Sequence, residues 1–203
     1  MRKGMKFLHK AAAAIVLASL FFTACGSEEG ENSASTISFT KEGKVRAELK
    51  ESFEQSYYDK DELQQTILTE VAEYNRTAGD ENISVEKVEV ADGMAEVAMT
   101  YEGAGDYASF NQVVFFAGSP AEAESAGYDL NVVLSSVKNA NETIGKSDIL
   151  AMKDVTVLIT DEQEGIALDS RVLYVSDNVA VSGNARELRR AGEDKNLAYI
   201  IYK

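Results

Sequence analysis

Ile83-Ser84-Val85-Glu86-Lys87-Val88-Glu89-Val90-Ala91-Asp92-Gly93-Met94-Ala95-Glu96-Val97-Ala98-Met99-Thr100-Tyr101-Glu102 is the stretch whose reading decides the fold class. Two runs rich in apolar and β-branched residues flank Asp92-Gly93. Asp-Gly between such runs is a strong short-range signal for a two-residue hairpin turn. In the second run Ala95, Val97, Met99 and Tyr101 share a face at the period of two that a strand imposes. The first run changes phase between Val85 and Val88, which marks a candidate bulge.

The segment before it has the same plan. Ile37 and Phe39, then Val45, Ala47 and Leu49, alternate on either side of Lys41-Glu42-Gly43-Lys44. A helix is expected next, with Asp59 and Asp61 as candidate N-caps and Gly79 as its stop. Leu63, Ile67, Leu68, Val71 and Tyr74 fall on one helical face, while Gln64, Gln65, Glu70 and Glu73 look outward. After the second hairpin, Tyr107, Phe110, Val114 and Ala117 fit a helical stripe over Tyr107–Ala117. Two hairpin-then-helix units in tandem suggest a weak internal duplication.

Downstream, Ser119–Asn141 holds the only proline, Pro120, and the apolar cluster Leu130, Val132, Val133, Leu134 and Val137; it reads equally as strand or helix. Val155–Thr160 and Ile166–Ser176 are expected to pair across an acidic hairpin loop, Asp161–Gly165. Val179-Ala180-Val181 is a candidate short strand. Leu197–Tyr202 is apolar on both faces, as a central or covered strand is. The fold class is therefore α+β: a largely antiparallel sheet built from hairpins, with two or three packed helices, in a single domain over 37–203.

The chain starts differently. Arg2, Lys3, Lys6 and Lys10 precede the apolar run AAAAIVLASLFF at 11–22, and Thr23-Ala24-Cys25-Gly26 follows. A basic start, a short apolar stretch and small residues at a junction are the parts of a secretory signal, and the stretch falls short of the roughly 20 residues a membrane span needs. Leu20-Phe21-Phe22-Thr23-Ala24-Cys25 resembles the lipobox of bacterial lipoprotein signal peptides, with Phe22 standing where Leu is commonest. The resemblance covers residues 1–26. It implies diacylglycerol on the Cys25 sulfur and cleavage that leaves Cys25 as the new N-terminus. The whole pattern of signal, tether and domain is similar to that of small lipoproteins of anaerobic Gram-positive bacteria, a resemblance that implies no activity.

Cleavage would leave domain segments 25–36 and 37–203. The first, a lipidated cysteine followed by GSEEGENSAST, is a polar, acidic tether. As a flexible coil it spans roughly 18 Å. Two or more acyl chains anchor stably where one is marginal.

Composition then excludes several classes of function. The chain has 203 residues, 34 acids and 20 bases, for a formal charge of −14. Loss of residues 1–24 removes four bases and no acid, and leaves 179 residues at −18. That charge argues against nucleic-acid partners, because phosphates need cations to neutralise them. His9, the one histidine, leaves with the signal, and Cys25, the one cysteine, is acylated. The mature chain then lacks the side chains for Ser-His-Asp or Cys-His catalysis, for His/Cys zinc sites and for ligated haem or iron–sulfur clusters. No cofactor is expected.

Arg186, Arg189 and Arg190, in Arg186-Glu187-Leu188-Arg189-Arg190, form a basic cluster in an acidic chain. They are candidate contacts to an envelope protein or polymer; pairing with surrounding carboxylates is the simpler reading. Asp59-Lys60-Asp61-Glu62 and Asp161–Glu164 are better read as capping and loop residues than as cation sites. Tyr57, Tyr58, Tyr101, Tyr107, Phe110, Phe115 and Phe116 are better read as core than as a ligand groove. The expected function is a non-enzymatic binding module, lipid-anchored on the extracytoplasmic face of the cell membrane. A small solute-binding lipoprotein is the alternative, and a hydrolase using paired acids ranks below it.

Overall fold

The computed structural model describes residues 35–40, 42–192 and 196–203. The expected signal sequence and Cys25 lie outside the described residues. Strand β1 (Thr36–Phe39) pairs antiparallel with β2 (Val45–Ser52), with Ile37 opposite Ala47 and Phe39 opposite Val45. The fold starts earlier than the tether boundary at 36 implies. Ser35 is buried, and its hydroxyl accepts from the Lys50 amide at 3.0 Å.

Helix α1 (Lys60–Ala78) follows. Asp59 Oδ1 accepts from the Asp61 and Glu62 amides at 2.8 and 3.0 Å, so Asp59, not Asp61, is the cap. Gly79 ends the helix at φ 82°, a left-handed conformation glycine adopts without strain. Ile67 and Val71 are buried in the core, and Leu63 and Tyr74 pack against it. Leu68, expected on the same face, is 47% exposed.

Strands β3 (Ile83–Ala91) and β4 (Met94–Tyr101) pair antiparallel around Asp92 and Gly93. Both turn residues have positive φ, 52° and 76°, as a two-residue turn matched to strand twist requires. The register shifts between Val85 and Lys87, so the phase change in the sequence is a bulge at Glu86. Glu86 accepts from Arg46 Nε at 2.8 Å across the sheet. Arg46 also pairs with Glu48, and Lys87 with Glu89 and Glu96. These pairs cover the solvated face, while Val97, Met99 and Tyr101 face the core.

Helix α2 (Ala104–Asn111) is shorter than the 107–117 stripe. Gln112 takes a left-handed conformation, φ 57°, and the chain leaves as strand β5 (Phe115–Gly118). Val114 and Ala117 therefore lie outside the helix. The ambiguous 119–141 region contains both element types: helix α3 (Pro120–Ser125), with a capping box between Ser119 and Glu122, and strand β6 (Leu134–Ser136). Strand β7 (Thr143–Ile144) and helix α4 (Lys146–Ala151) come next.

The C-terminal part comprises β8 (Thr156–Thr160), β9 (Gly165–Leu168), β10 (Val172–Val175), β11 (Val179–Ser182), β12 (Glu187–Arg190) and β13 (Ala198–Tyr202). Among the described residues there are four helices and two sheets, not one sheet with two or three helices. One sheet runs β11-β12-β9-β1-β2-β4-β3, and the other runs β5-β8-β13-β10-β6-β7. Pairing is antiparallel except between β1 and β9. The α+β class holds.

The hairpin expected across 161–165 does not form. Strand β8 belongs to the second sheet and β9 to the first, so Asp161–Glu164 crosses between sheets. The run 166–176 likewise divides, β9 going to one sheet and β10 to the other. Strings of apolar residues on both sides of a loop fit either a hairpin or a crossing; only long-range partners decide.

The two sheets share a core. It takes Ile37, Phe39, Val45 and Tyr101 from the first sheet, and Phe115, Leu158, Val172 and Ile200 from the second. A second cluster, with Ala123, Leu130, Ile149, Val157, Ile159 and Ile201, covers the other face of the second sheet. Alternation explains the division: in β13, Ala198 and Ile200 belong to the first cluster, Tyr199 and Ile201 to the other. This central strand, between β8 and β10, is covered on both faces, as its sequence indicates.

Candidate functional site

The first sheet ends in the β11–β12 hairpin. Gly183, Asn184 and Ala185 all have positive φ (55°, 57° and 62°), so the connecting turn is wound left-handed. The Arg186 amide closes it by donating to Ser182 O at 3.2 Å. Left-handed backbone costs a residue with a Cβ about 1–2 kcal/mol, so Ala185 holds local strain.

Main-chain bonds knit this turn to the segment between β9 and β10. The Leu168 amide donates to Arg186 O at 2.8 Å, and the Val172 amide to Ala185 O at 2.9 Å. Arg171 is thereby brought beside Arg186. The two arginines, with Val137 and Gly183–Ala185, line an open groove of about 820 Å³. Both arginines are exposed. Lys44, Arg46, Arg76, Lys87, Lys146 and Lys203 form ion pairs, whereas among the described residues Arg171 and Arg186 form none. Arg189 forms none either but does not line the groove, so two guanidinium forks are available there.

The three sequence-flagged arginines do not act together. Within β12, Leu188 is buried and Arg189 is exposed on the opposite face. Arg190 is half-buried, donates to Asn196 O, and lies beside a small cavity with Glu162 and Glu164. Only Arg186 reaches the groove. Its partner there, Arg171, carries no local signal in Asp169-Ser170-Arg171-Val172; their proximity comes from pairing between β9 and β12.

The crossing loop 161–164 forms the other polar centre. Tyr107 Oη donates to Glu162 Oε1 at 2.7 Å, and the Val114 amide donates to Asp161 Oδ1 at 2.9 Å. Burial pushes the Glu162 carboxyl up; Asp161 adds repulsion, and the Tyr107 hydroxyl partly offsets both. Burial also raises Glu164, with Glu162 and Glu51 adding to it. The Tyr107 hydroxyl is raised, first by burial and then by Glu162. The cavity beside these acids is about 10 Å³, roughly the space of one water.

Of the aromatic set, Tyr101, Tyr107 and Phe115 are core residues, and Phe110 and Phe116 pack against core clusters. Tyr101 meets Tyr107 edge-on at 5.0 Å, and burial pushes its hydroxyl up to about 12. Tyr57 is 74% exposed and meets Tyr58 at 4.9 Å. Among the described residues no group of three or more His, Cys, Asp or Glu is placed to hold a metal ion, and no helix is long and apolar enough to cross a membrane. The chain matches no protein-family model, no curated protein and no solved structure.

Proposed function

We propose that the chain is a bacterial lipoprotein, anchored through lipid on Cys25 to the extracytoplasmic face of the cell membrane, whose domain is a non-enzymatic binding module of the cell envelope. The observation that carries the binding reading is the groove with Arg171 and Arg186, cationic and free of ion pairs in an acidic molecule. The anchor rests on residues 1–26, where a basic start, a short apolar run and the lipobox-like Leu20–Cys25 coincide. On this reading the pairs β1–β2, β3–β4 and β11–β12 are hairpin units, and the turn of the last of them lines the groove.

A second reading is a small solute-binding lipoprotein. Its support is the groove's volume, which falls in the roughly 300–1,000 Å³ range of small-ligand sites. A rise in melting temperature with particular solutes favours it.

The test uses the full chain and Cys25→Ala in a bacterial host. Intact cells are crosslinked, and membrane fractions are analysed by mass spectrometry. The expected result is an acylated Cys25 peptide and a reproducible crosslinked partner in the wild type, with Cys25→Ala lost from the membrane. An unacylated Cys25, or a variant that stays membrane-bound, removes the anchor.

A further inference from the structure

We infer that the Arg171–Arg186 groove binds a phosphate ester. The inference rests on the binding-module reading and names the ligand class of that groove. Three observations converge. Arg171 and Arg186 come from separate loops but line one cavity, which also includes Val137 and the strained Gly183–Ala185 turn. Among the described residues neither arginine has an ion pair; Lys60, Lys138, Lys153 and Arg189 have none either, but none of those lines the groove. The backbones carrying them are tied by bonds of 2.8 and 2.9 Å, so the spacing of the two stems is set before any ligand arrives.

The geometry of the acceptors selects the ligand. One guanidinium presents five N–H donors in a planar fork and can grip a carboxylate bidentately. A carboxylate's acceptor sites lie in one plane and carry a single charge, so two forks from separate loops share one only when both lie in that plane. A phosphate has three or four oxygens arranged tetrahedrally, and two forks can grip different pairs of them. Glu187, the acid next to Arg186, accepts from Ser182 Oγ at 3.4 Å and packs over Gly183. The groove is open, so the esterified remainder of the ligand can extend past Val137 without being enclosed. The domain's acidity opposes long-range attraction, but charges beyond about 8 Å are screened at physiological salt, which leaves the local arginines to decide.

The experiment titrates the full chain, purified in detergent, with glycerol 3-phosphate and, separately, with citrate, followed by NMR chemical shifts. Arg171→Gln, Arg186→Gln and Arg189→Gln are run beside the wild type. The expected result is saturable binding of glycerol 3-phosphate that weakens with added salt. It should fall at least tenfold in Arg171→Gln and in Arg186→Gln, and stay unchanged in Arg189→Gln. Both groove arginines are exposed and unpaired, so these variants should melt with the wild type, and a lowered melting temperature is checked first. Citrate bound as tightly as the phosphate ester overturns the assignment, as does absence of binding or binding that survives loss of either groove arginine. If glycerol 3-phosphate does not bind while the lipidated wild type still captures its crosslinked partner, the binding-module reading stands and the phosphate inference falls.

Discussion

The Tyr107 hydroxyl donates a 2.7 Å hydrogen bond to Glu162 Oε1, joining residues 55 positions apart. Tyr107 stands on α2, while Glu162 is on the loop that crosses from one sheet to the other. The bond partly offsets the cost of burying Glu162, whose carboxyl is nevertheless raised.

That raised value sets the pH dependence. Burial also raises Glu164, Glu51 and Glu70. A carboxyl raised in the folded state binds its proton more tightly there than when unfolded, so stability falls as pH rises through the folded values. Glu86, Glu96 and Glu122 are lowered by hydrogen bonds from Thr100, Lys87 and Ser119 respectively. Their contribution is present above the ordinary carboxylate value and lost as pH falls through the lowered ones. Melting temperature is therefore expected to peak on the mildly acidic side of neutrality. Glu162→Gln keeps an acceptor for Tyr107 without the buried charge. It should melt above the wild type at neutral pH, with the gap closing as pH falls. A variant that melts lower at neutral pH contradicts this account.

Asn75 provides a second test. Its Nδ2 donates to Ile83 O at 2.8 Å and its Oδ1 accepts from the Ile83 amide at 3.0 Å, so one side chain binds the first residue of β3 as a strand neighbour would. Asn75→Ala removes both bonds beside a buried Ile83. At about 1 kcal/mol per bond, plus a cost for unsatisfied groups, the loss should be about 2–3 kcal/mol in urea unfolding. Asn75→Asp should recover only part, because a carboxylate cannot donate to Ile83 O. Equal stability of Asn75→Asp and the wild type would show that the donated bond contributes nothing.

Local chemistry made some of this architecture legible. Asp92-Gly93, the Asp59 cap, Gly79 and the phase change near Glu86 each act within a few residues, and each was readable. The two-sheet arrangement was not, because alternation says which residues face inward and not which sheet they face. The loop 161–164 looks like a hairpin for the same reason. The helix stripe at 107–117 failed because Phe115–Gly118 fits a strand equally well, and its pairing with β8 decides. Of the groove, Arg186 was visible as part of a basic cluster. Arg171 was not, since its role depends on the meeting of two loops.

The left-handed turn makes its own prediction. Ala185 sits at φ 62°, and glycine adopts that conformation without the Cβ penalty. Ala185→Gly should stabilise the domain by up to about 1 kcal/mol, or roughly 2–4 °C in a domain of this size. Gly183→Ala should do the opposite, because its Cβ would meet the Glu187 side chain as well as an unfavourable φ. If both variants melt with the wild type, the turn is not held in this conformation in solution.

The packing of the two sheets rests on a contact that can be tested alone. Phe39, on β1, stacks on Phe115, on β5, with centroids 5.4 Å apart and planes inclined by 6°. Phe39 also meets Tyr202 of the central strand at 6.4 Å. Phe39 is 6% exposed and Phe115 3%, so truncation leaves a cavity between the sheets that neither backbone can readily close. Phe39→Ala is expected to cost about 3–5 kcal/mol, a large part of a typical domain's 5–15 kcal/mol. Phe39→Leu keeps most of the volume and should cost clearly less. Tyr57→Ala, at a residue 74% exposed, should change stability by no more than about 0.5 kcal/mol. Urea unfolding of the three variants separates the cases. If Phe39→Ala costs no more than Tyr57→Ala, the sheets are not held together through this stack, and the shared core must be sought elsewhere along their interface.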